Sequence, residues 1–409
     1  MEHVEAHTMR LLGTAEAASM KSSANRFFPG DVLYGRLRPY LNKVYLATFE
    51  GICSPEFIVL PRTAGLSPEF LRYRLNSHDF VAFAKHLNAG DRPRVDFDQI
   101  SEFEILLPGE ERQSQVVAYL DEQLSRLDAS VAALHRVQAN LKRYRASVLK
   151  AACEGRLVPT EAELARQEFR EFETGEKLLQ HLLAKRRTSQ SERKFKEPAS
   201  PVTDALPKLP DGWHWATMPQ VGELNRGKSK HRPRDDELLY GGPYPFVQTG
   251  DVRYADGILS RHSQTYSELG LQQSRLWPAG TLCITIAANI AETARLAYPA
   301  CFPDSIVGFV CDGGEVMTKW IQMFLATAKE HLETFAPGTA QKNINLDVLQ
   351  NTAIPLPPLA EQHRIVAEAD RRLSLIRTAE AQVAANLARA QRLRQSILQA
   401  AFAAPAATT

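Results

Sequence analysis

Two stretches of the chain carry apolar residues at alternating spacings of three and four. From Gln113 to Cys153 they are Val117, Leu120, Leu124, Leu127, Val131, Leu134, Leu141, Tyr144 and Val148. From Glu361 to Phe402 they are Val366, Ala369, Leu373, Ile376, Val383, Leu387, Ala390 and Ile397. That spacing marks a coiled-coil seam. Neither stretch holds a Pro or Gly in its interior. Each predicts one helix, and at about 1.5 Å per residue some 40 residues make a rod of about 60 Å. Pro358 suits the first turn of the second helix, and Glu361 is well placed near its N-terminal dipole. Each half of the chain has one such helix, so the simplest burial of both seams is against each other rather than inside a larger bundle.

Elsewhere the pattern shortens. The runs Asp31–Tyr34, Val44–Thr48, Phe57–Leu60, Thr281–Ala287 and Ile306–Cys311 read as strands between turn residues, and Glu69–Leu87 and Thr318–Phe335 read as helices. Small mixed α/β domains are expected over 1–112 and 209–358. The long helices then occupy 113–153 and 359–403. In the intervening 154–208, Glu161 to Arg187 reads as one helix with the stripe Leu178, Leu179, Leu182 and Leu183. A polar linker punctuated by Pro198, Pro201, Pro207 and Pro210 follows it.

The chain is written twice. At an offset of 249 residues, Ile105-Leu106-Leu107-Pro108 falls on Ile354-Pro355-Leu356-Pro357, and Gln113 on Gln362. Leu124-Ser125 falls on Leu373-Ser374, Ser147-Val148-Leu149 on Ser396-Ile397-Leu398, and Asp98 on Asp347. Two copies of so large a unit predict a pseudo-twofold molecule rather than a solenoid. The copies are unequal. Leu209-Pro210-Asp211-Gly212-Trp213 opens the second, and the first shows no counterpart, as though about 40 residues of its start were missing.

Composition narrows the class. The 49 basic and 47 acidic residues nearly balance, which leaves room for a basic face within a neutral total. Five cysteines without a C-x-x-C pair argue against a zinc site or a disulfide framework and fit a reducing cytosol. No apolar run approaches a membrane span, and a cytoplasmic protein is expected.

Gly222–Ser229 reads GELNRGKS, which fits the phosphate-cradling pattern G-x-x-x-x-G-K-[ST]. Such a loop needs an apolar strand before it and a helix after it. Here Pro219 interrupts the approach and Pro233 follows closely, so an NTPase is disfavoured. Pro303-Asp304 with Glu315 and Lys319 has the wrong spacing for a nuclease set, and no N-P-P-[FYW] tetrapeptide stands for methyl transfer.

Leu209-Pro-Asp-Gly-Trp213, Pro355-Leu-Pro-Pro-Leu-Ala-Glu-Gln362, Tyr34–Tyr40 (YGRLRPY), Gly338–Asp347 (GTAQKNINLD) and the segment LLQHLLAKRR carry a family resemblance. With the repeat, the chain resembles a specificity subunit of a type I restriction–modification system. The resemblance implies an α/β fold: two small mixed target-recognition domains separated by two long antiparallel coiled-coil helices. It implies no chemistry in this chain. Each recognition domain would read one half of a split site in double-stranded DNA, and the helices would act as a ruler between them. Two methyltransferase subunits and motor–nuclease restriction subunits would be the partners, holding S-adenosylmethionine, ATP and Mg. The shortened start puts reading by the first domain in question.

DNA reading needs cations for phosphates and forked side chains for base edges. In the first domain Tyr34, Gly35, Arg36, Arg38 and Lys43 surround a turn, and Arg92 and Arg94 lie in a second loop. In the second domain Thr339, Gln341, Lys342 and Asn343 occupy the loop equivalent to that of Arg92, and Lys228 and Lys230 follow Gly227. Leu120, Leu124, Leu127, Val131, Leu134, Leu141, Leu373, Ile376, Val383 and Leu387 would serve helix pairing and partner docking. Arg136, Lys142, Arg143, Arg145, Arg371, Arg372, Arg389, Arg392 and Arg394 are expected on a solvated helix face, as are Arg186-Arg187 in the linker. A bland alternative, a coiled-coil scaffold without DNA reading, would not need two globular domains with unlike polar loops.

Overall fold

The computed structural model of the chain describes all residues except Met1, 17–22, 88–89, 190–195, 231–232, 234–235, 288–289, 335–344 and 404–409, and the side chains of 330–334. Its contacts divide it into two compact units, Met1–Ala139 with Glu380–Thr409, and Asn140–Ala379. Each unit holds one globular part and a share of both long helices.

In the first unit the central strand Val32–Gly35 pairs antiparallel with Val44–Leu46 on one side and Phe57–Leu60 on the other. The strands are rich in Val, Ile, Leu, Phe and Tyr, which pack well on a pleated surface. Helices Pro68–Arg74 and His78–His86 replace the single helix expected over Glu69–Leu87. The break follows from Asn76, which is buried and bonded to Arg72 O and to Asn42 Nδ2, and from Ser77, whose hydroxyl donates back to Arg74 O. Such side chain–backbone bonds compete with helix continuation.

The second unit has a five-stranded sheet in the order Gly222–Arg226, Ile306–Cys311, Leu282–Thr285, Thr293–Leu296 and Ile258–Leu259. All its pairs are antiparallel except the last. A separate ribbon pairs His214–Thr217 with Ala353–Leu356. Helix Gly314–Thr334 sits against the sheet, and its buried Trp320 meets Trp213 edge to face at 5.4 Å between centroids.

The segment expected as one helix over 161–187 is two, Glu161–Glu168 and Gly175–Ser189. Phe169 ends the first in the left-handed region at φ 53°, and Arg170 turns back onto Glu161 at 2.6 Å. The second starts on Gly175 because a Cβ there would lie 2.1 Å from Leu356 O. Arg186 is not solvated as expected: its guanidinium donates to Asp312 and to Pro219 O, tying this helix to the sheet domain.

The long helices are Glu110–Cys153 and Leu359–Phe402, each of 44 residues. Both ends coincide under the 249-residue shift, so the first begins three residues ahead of the expected Gln113. Within the first unit Leu120, Leu124 and Leu127 are buried with Leu398, while Ile397 and Phe402 pack around them. Within the second unit Val148 and Ala152 share a core with Ile365, Val366 and Ala369. The start of each helix thus meets the end of the other, which makes the pair antiparallel. Ile376 and Val383 are also buried, whereas Val131, Leu134, Leu141, Leu373 and Leu387 are half-buried. Arg394 departs from the solvated face expected of it. It is buried and ion-paired with Asp128 across the helix pair.

The repeat extends to side-chain detail. Gln113 Nε2 donates to Pro108 O and Gln362 Nε2 to Pro357 O, both at 2.8 Å. Asp96 caps Phe97–Ser101 and Asn345 caps the equivalent Leu346–Asn351.

Candidate nucleic-acid interface

In the first unit the strand Val32–Gly35 runs into a turn laced to a distant loop. Gly35 N–H donates to Lys43 O, Arg36 N–H to Glu56 O, and Arg38 N–H to Pro93 O. Val95 N–H donates to Arg36 O, and Arg36 Nε returns the bond to Val95 O at 3.1 Å. Arg38 at φ 51° and Asn42 at φ 40° bracket a short 3-10 turn, Pro39–Leu41. The two loops named from sequence therefore form one surface. Arg38, Arg92 and Arg94 are exposed on it, and Arg36 and Lys43 are half-buried.

Two assignments change. The Tyr34 side chain is 0% exposed and packs edge to face on Phe80, because the strand is buried on both faces and Tyr34 shares a cluster with Val32; it belongs to the core and not to the interface. Gly35 is buried as well, so its backbone does not meet a phosphate. Arg94 reaches the surface but forks onto Glu56 at 2.9–3.1 Å. The hydrogen bond from Arg94 holds the Glu56 carboxyl below its usual range, and Arg36 adds to this. One carboxylate thus offsets part of the positive charge.

The corresponding turn in the second unit is one residue shorter: Thr285 N–H bonds Glu292 O and Ile286 N–H bonds Ser305 O, where Gly35 N–H bonds Lys43 O and Arg36 N–H bonds Glu56 O. Ala291, at the position of Asn42, is again left-handed at φ 58°. The buried Ile286 therefore stands where Arg36 does, Thr285 where Gly35 does, and Glu292 where Lys43 does. Thr285 accepts from Glu292 N–H, and Glu292 binds Lys329 at 2.6 Å. Thr339, Gln341, Lys342 and Asn343 lie outside the described residues.

The GELNRGKS stretch is no phosphate loop. Gly222–Arg226 is an edge strand paired with Ile306–Cys311. Its two glycines serve close packing: a Cβ on Gly222 would lie 2.5 Å from Val310 O, and one on Gly227 2.3 Å from Phe302 O. No helix follows. The loop is pinned by Lys228 N–H to Phe302 O and by Ser274 Oγ to Lys228 O, which leaves the Lys228 and Lys230 side chains exposed. Gly227→Ala is expected to destabilise the fold by about 1–3 kcal/mol through overpacking. Urea unfolding checks this, and nucleotide addition should shift neither wild type nor variant.

The sequence reading missed a polar cluster in the second unit. Gln248 Nε2 donates to Gln264 Oε1, Ser263 Oγ to Asp251, and His262 Nδ1 bonds with Tyr298 OH at 2.9 Å. Gln264 and Tyr240 line a shallow recess with Ser263 and Thr265. Glutamine amides are fork-shaped base readers. Being uncharged and dispersed over 16 residues, they gave no local signal. Among the described residues, no group of three His, Cys, Asp or Glu is placed to hold a metal ion.

Comparison with known proteins bears on the same regions. A family model for the type I restriction modification DNA specificity domain matches residues 210–380. The chain is 26% identical over 317 residues to the EcoDI specificity subunit of the type I restriction enzyme of Escherichia coli, and 25% identical over 323 residues to the EcoBI one. These matches take in 76% and 72% of this chain, and the chain spans 64% and 57% of the two relatives' lengths. A solved structure concerned with complex assembly and conformational transition of the type I R-M system holds a chain of the same fold. It superposes with a TM-score of 0.66 and 22% identity over 98% of this chain and 89% of that one.

Proposed function

We propose that this chain, which belongs to the specificity subunits of type I restriction–modification systems, reads a bipartite site in double-stranded DNA with its two repeat units. The observation that supports this best is a pair of turns that leave corresponding central strands and carry unlike side chains. Arg36, Arg38 and Arg92 crown one, and in the other Ile286 and Glu292 stand where Arg36 and Lys43 do. Two readers of different half-sites need the same scaffold and different edges. Phosphate contacts from Arg36, Arg38, Lys43, Arg92, Lys228 and Lys230 position the duplex, and Gln248 and Gln264 join the loop 339–343 as candidates for base edges. The unequal turns favour this over a scaffold without DNA reading.

The chain itself is non-catalytic in this reading. Methyl transfer falls to two methyltransferase subunits with S-adenosylmethionine, and translocation and cleavage to restriction subunits with ATP and Mg. The half-buried seam residues Val131, Leu134, Leu141, Leu373 and Leu387 and the exposed helix faces are the surfaces left for docking these partners. The site of action is the cytoplasm. Among the described residues no helix is long and apolar enough to cross a membrane.

Methylation mapping of host DNA, with the chain and its methyltransferase subunit expressed together, tests the reading. A motif of two short specified blocks around a fixed unspecified gap is expected. Absence of any sequence-specific methylation, with the complex assembled, would refute DNA reading. A single block would confine reading to one unit.

A further inference from the structure

The polar cluster of the second unit is held more firmly than a surface loop. The strand Tyr240–Phe246 pairs antiparallel with Gln264–Tyr266, and Gln264 lies opposite Phe246. Phe246 and Tyr266 are buried and stack at 3.9 Å between ring centroids. Val247 follows at 0% exposure, its N–H bonded to Cys301 O at 2.8 Å. Gln248 then stands at the N-cap of the helix Thr249–Arg253, and its own N–H donates to Asp251 Oδ2 at 2.8 Å. Gln248 and Gln264 are both exposed, yet each side chain leaves a backbone fixed by buried neighbours. Side chains on such elements keep their geometry better than side chains on loops.

The two amides bond to each other, Gln248 Nε2 to Gln264 Oε1 at 2.5 Å. An amide carries two N–H donors and an oxygen with two lone pairs. The bond therefore leaves N–H groups on Gln264 beside an acceptor on Gln248. Exchanging N and O in both amides gives the same set, with the donor on Gln248 and the acceptor on Gln264. In either sense the joined pair offers a donor next to an acceptor, and the mutual bond keeps either amide from turning over alone. In the major groove guanine shows two acceptors, N7 and O6, whereas adenine shows an acceptor, N7, and a donor, N6–H. Cytosine shows a donor alone, and thymine an acceptor and a methyl group. Adenine is the base whose edge complements the pair.

The surroundings suit a duplex. Lys228 and Lys230 are exposed on a loop tied to the strand that carries Gln264, because Tyr266 OH donates to Ser229 Oγ at 3.5 Å. Arg261 is exposed three residues before Gln264. Cations from two segments thus stand by the amide pair, as phosphates flank the base edges of a groove. The Asp251 carboxylate of the same cluster takes Gln248 N–H and Ser263 Oγ on Oδ2, at 2.8 and 3.1 Å, and so serves to hold the backbone. The geometry points to Gln248 and Gln264 as the joint reader of one adenine, at a single A·T pair in the half-site of the second unit. The inference rests on DNA reading by that unit and adds to it the base read and the two residues that select it.

The test uses the full chain assembled with its methyltransferase subunit. Methylation mapping of wild type, Gln248→Ala and Gln264→Ala shows which position of the motif each variant relaxes. Both should relax the same A·T pair and leave the other half-site and the gap unchanged. Competition binding to duplexes carrying each of the four base pairs at that position should show selectivity for adenine falling by about 5- to 150-fold, the worth of one bidentate contact. Gln264→Glu replaces the donor by an acceptor and should turn the preference toward cytosine, whose N4 donates. Relaxation at a G·C pair, or at two different pairs, overturns the inference. So does wild-type selectivity in both alanine variants. In each of those results a specified motif still shows DNA reading, whereas methylation by the wild-type complex without sequence preference overturns that reading and the inference with it.

Discussion

Trp213→Ala is expected to cost about 3–5 kcal/mol of stability, the range of buried aromatic truncations. The ring is 8% exposed and packs on Trp320, and its Nε1 donates to Glu361 Oε1 at 2.9 Å. The other oxygen, Oε2, accepts from Glu161 N–H at 2.8 Å. Glu161 is itself buried and held by Arg170 and Arg364, both at 2.6 Å. One carboxylate therefore joins the entry to the recognition domain, the first turn of the helix Glu161–Glu168 and the start of the last long helix. Removing the indole opens a cavity and leaves a buried oxygen without its donor. Trp213→Phe keeps most of the area and loses only the bond, for about 1–3 kcal/mol. Urea unfolding of the full chain ranks the two, and a Phe variant as stable as wild type would show that the indole bond contributes nothing.

The same node sets a pH dependence. Burial pushes the Glu361 carboxyl up, against the bonds from Glu161 N–H and Trp213. A folded pKa above the unfolded one means stability that is present at low pH and lost as pH rises through the folded value. Burial also pushes Glu161 up, but the bonds from Arg170 and Arg364 outweigh it and leave that carboxyl lowered. Its contribution is present above the unfolded pKa and lost as pH falls through the folded one. The two slopes oppose each other. Arg364→Ala weakens the acid-side loss at Glu161 and should leave a chain whose stability falls more steeply toward neutral pH.

What the sequence revealed divides along a physical line. The helix seams and the repeat were legible because periodicity and offset sum many weak signals. Both 44-residue helices fall where the seams place them. Glu361 was legible only as a residue near a helix dipole, since its role depends on Trp213 and Glu161, 148 and 200 residues away. Tyr34 was misplaced because a motif of polar letters hides a strand buried on both faces: Val32 and Tyr34 enter one cluster and Leu33 the other, and Arg36 lies just past the strand's end. The central helix was read as continuous because Phe169 is not a helix breaker by propensity. The return of Arg170 to Glu161, a tertiary contact, ends it. Arg394 and Arg186 looked like solvent charge for the same reason: Asp128 and Asp312 are remote in sequence.

The combined replacement of Arg36, Arg38 and Arg92 by alanine is expected to flatten the salt dependence of DNA binding by the assembled complex. Each cation that neutralises a phosphate contributes roughly 0.9 to the slope of log affinity against log salt, so three remove about 3. Arg38 and Arg92 are exposed and Arg36 also bonds Val95 O, so assembly should hold while stability falls by about 1 kcal/mol. Arg94 supplies the internal comparison. Its guanidinium already forks onto Glu56, so Arg94→Ala should change the slope by less than the loss of Arg38 or Arg92. Glu56→Gln releases that charge and should raise affinity at low salt. Lys228 and Lys230 make the same argument for the second unit, where their joint replacement should remove about 2 from the slope. Fluorescence anisotropy across a salt series reads every case. An unchanged slope in the triple variant, with the complex intact, would move the duplex off this surface, and Gln248 and Gln264 would then be the residues to follow.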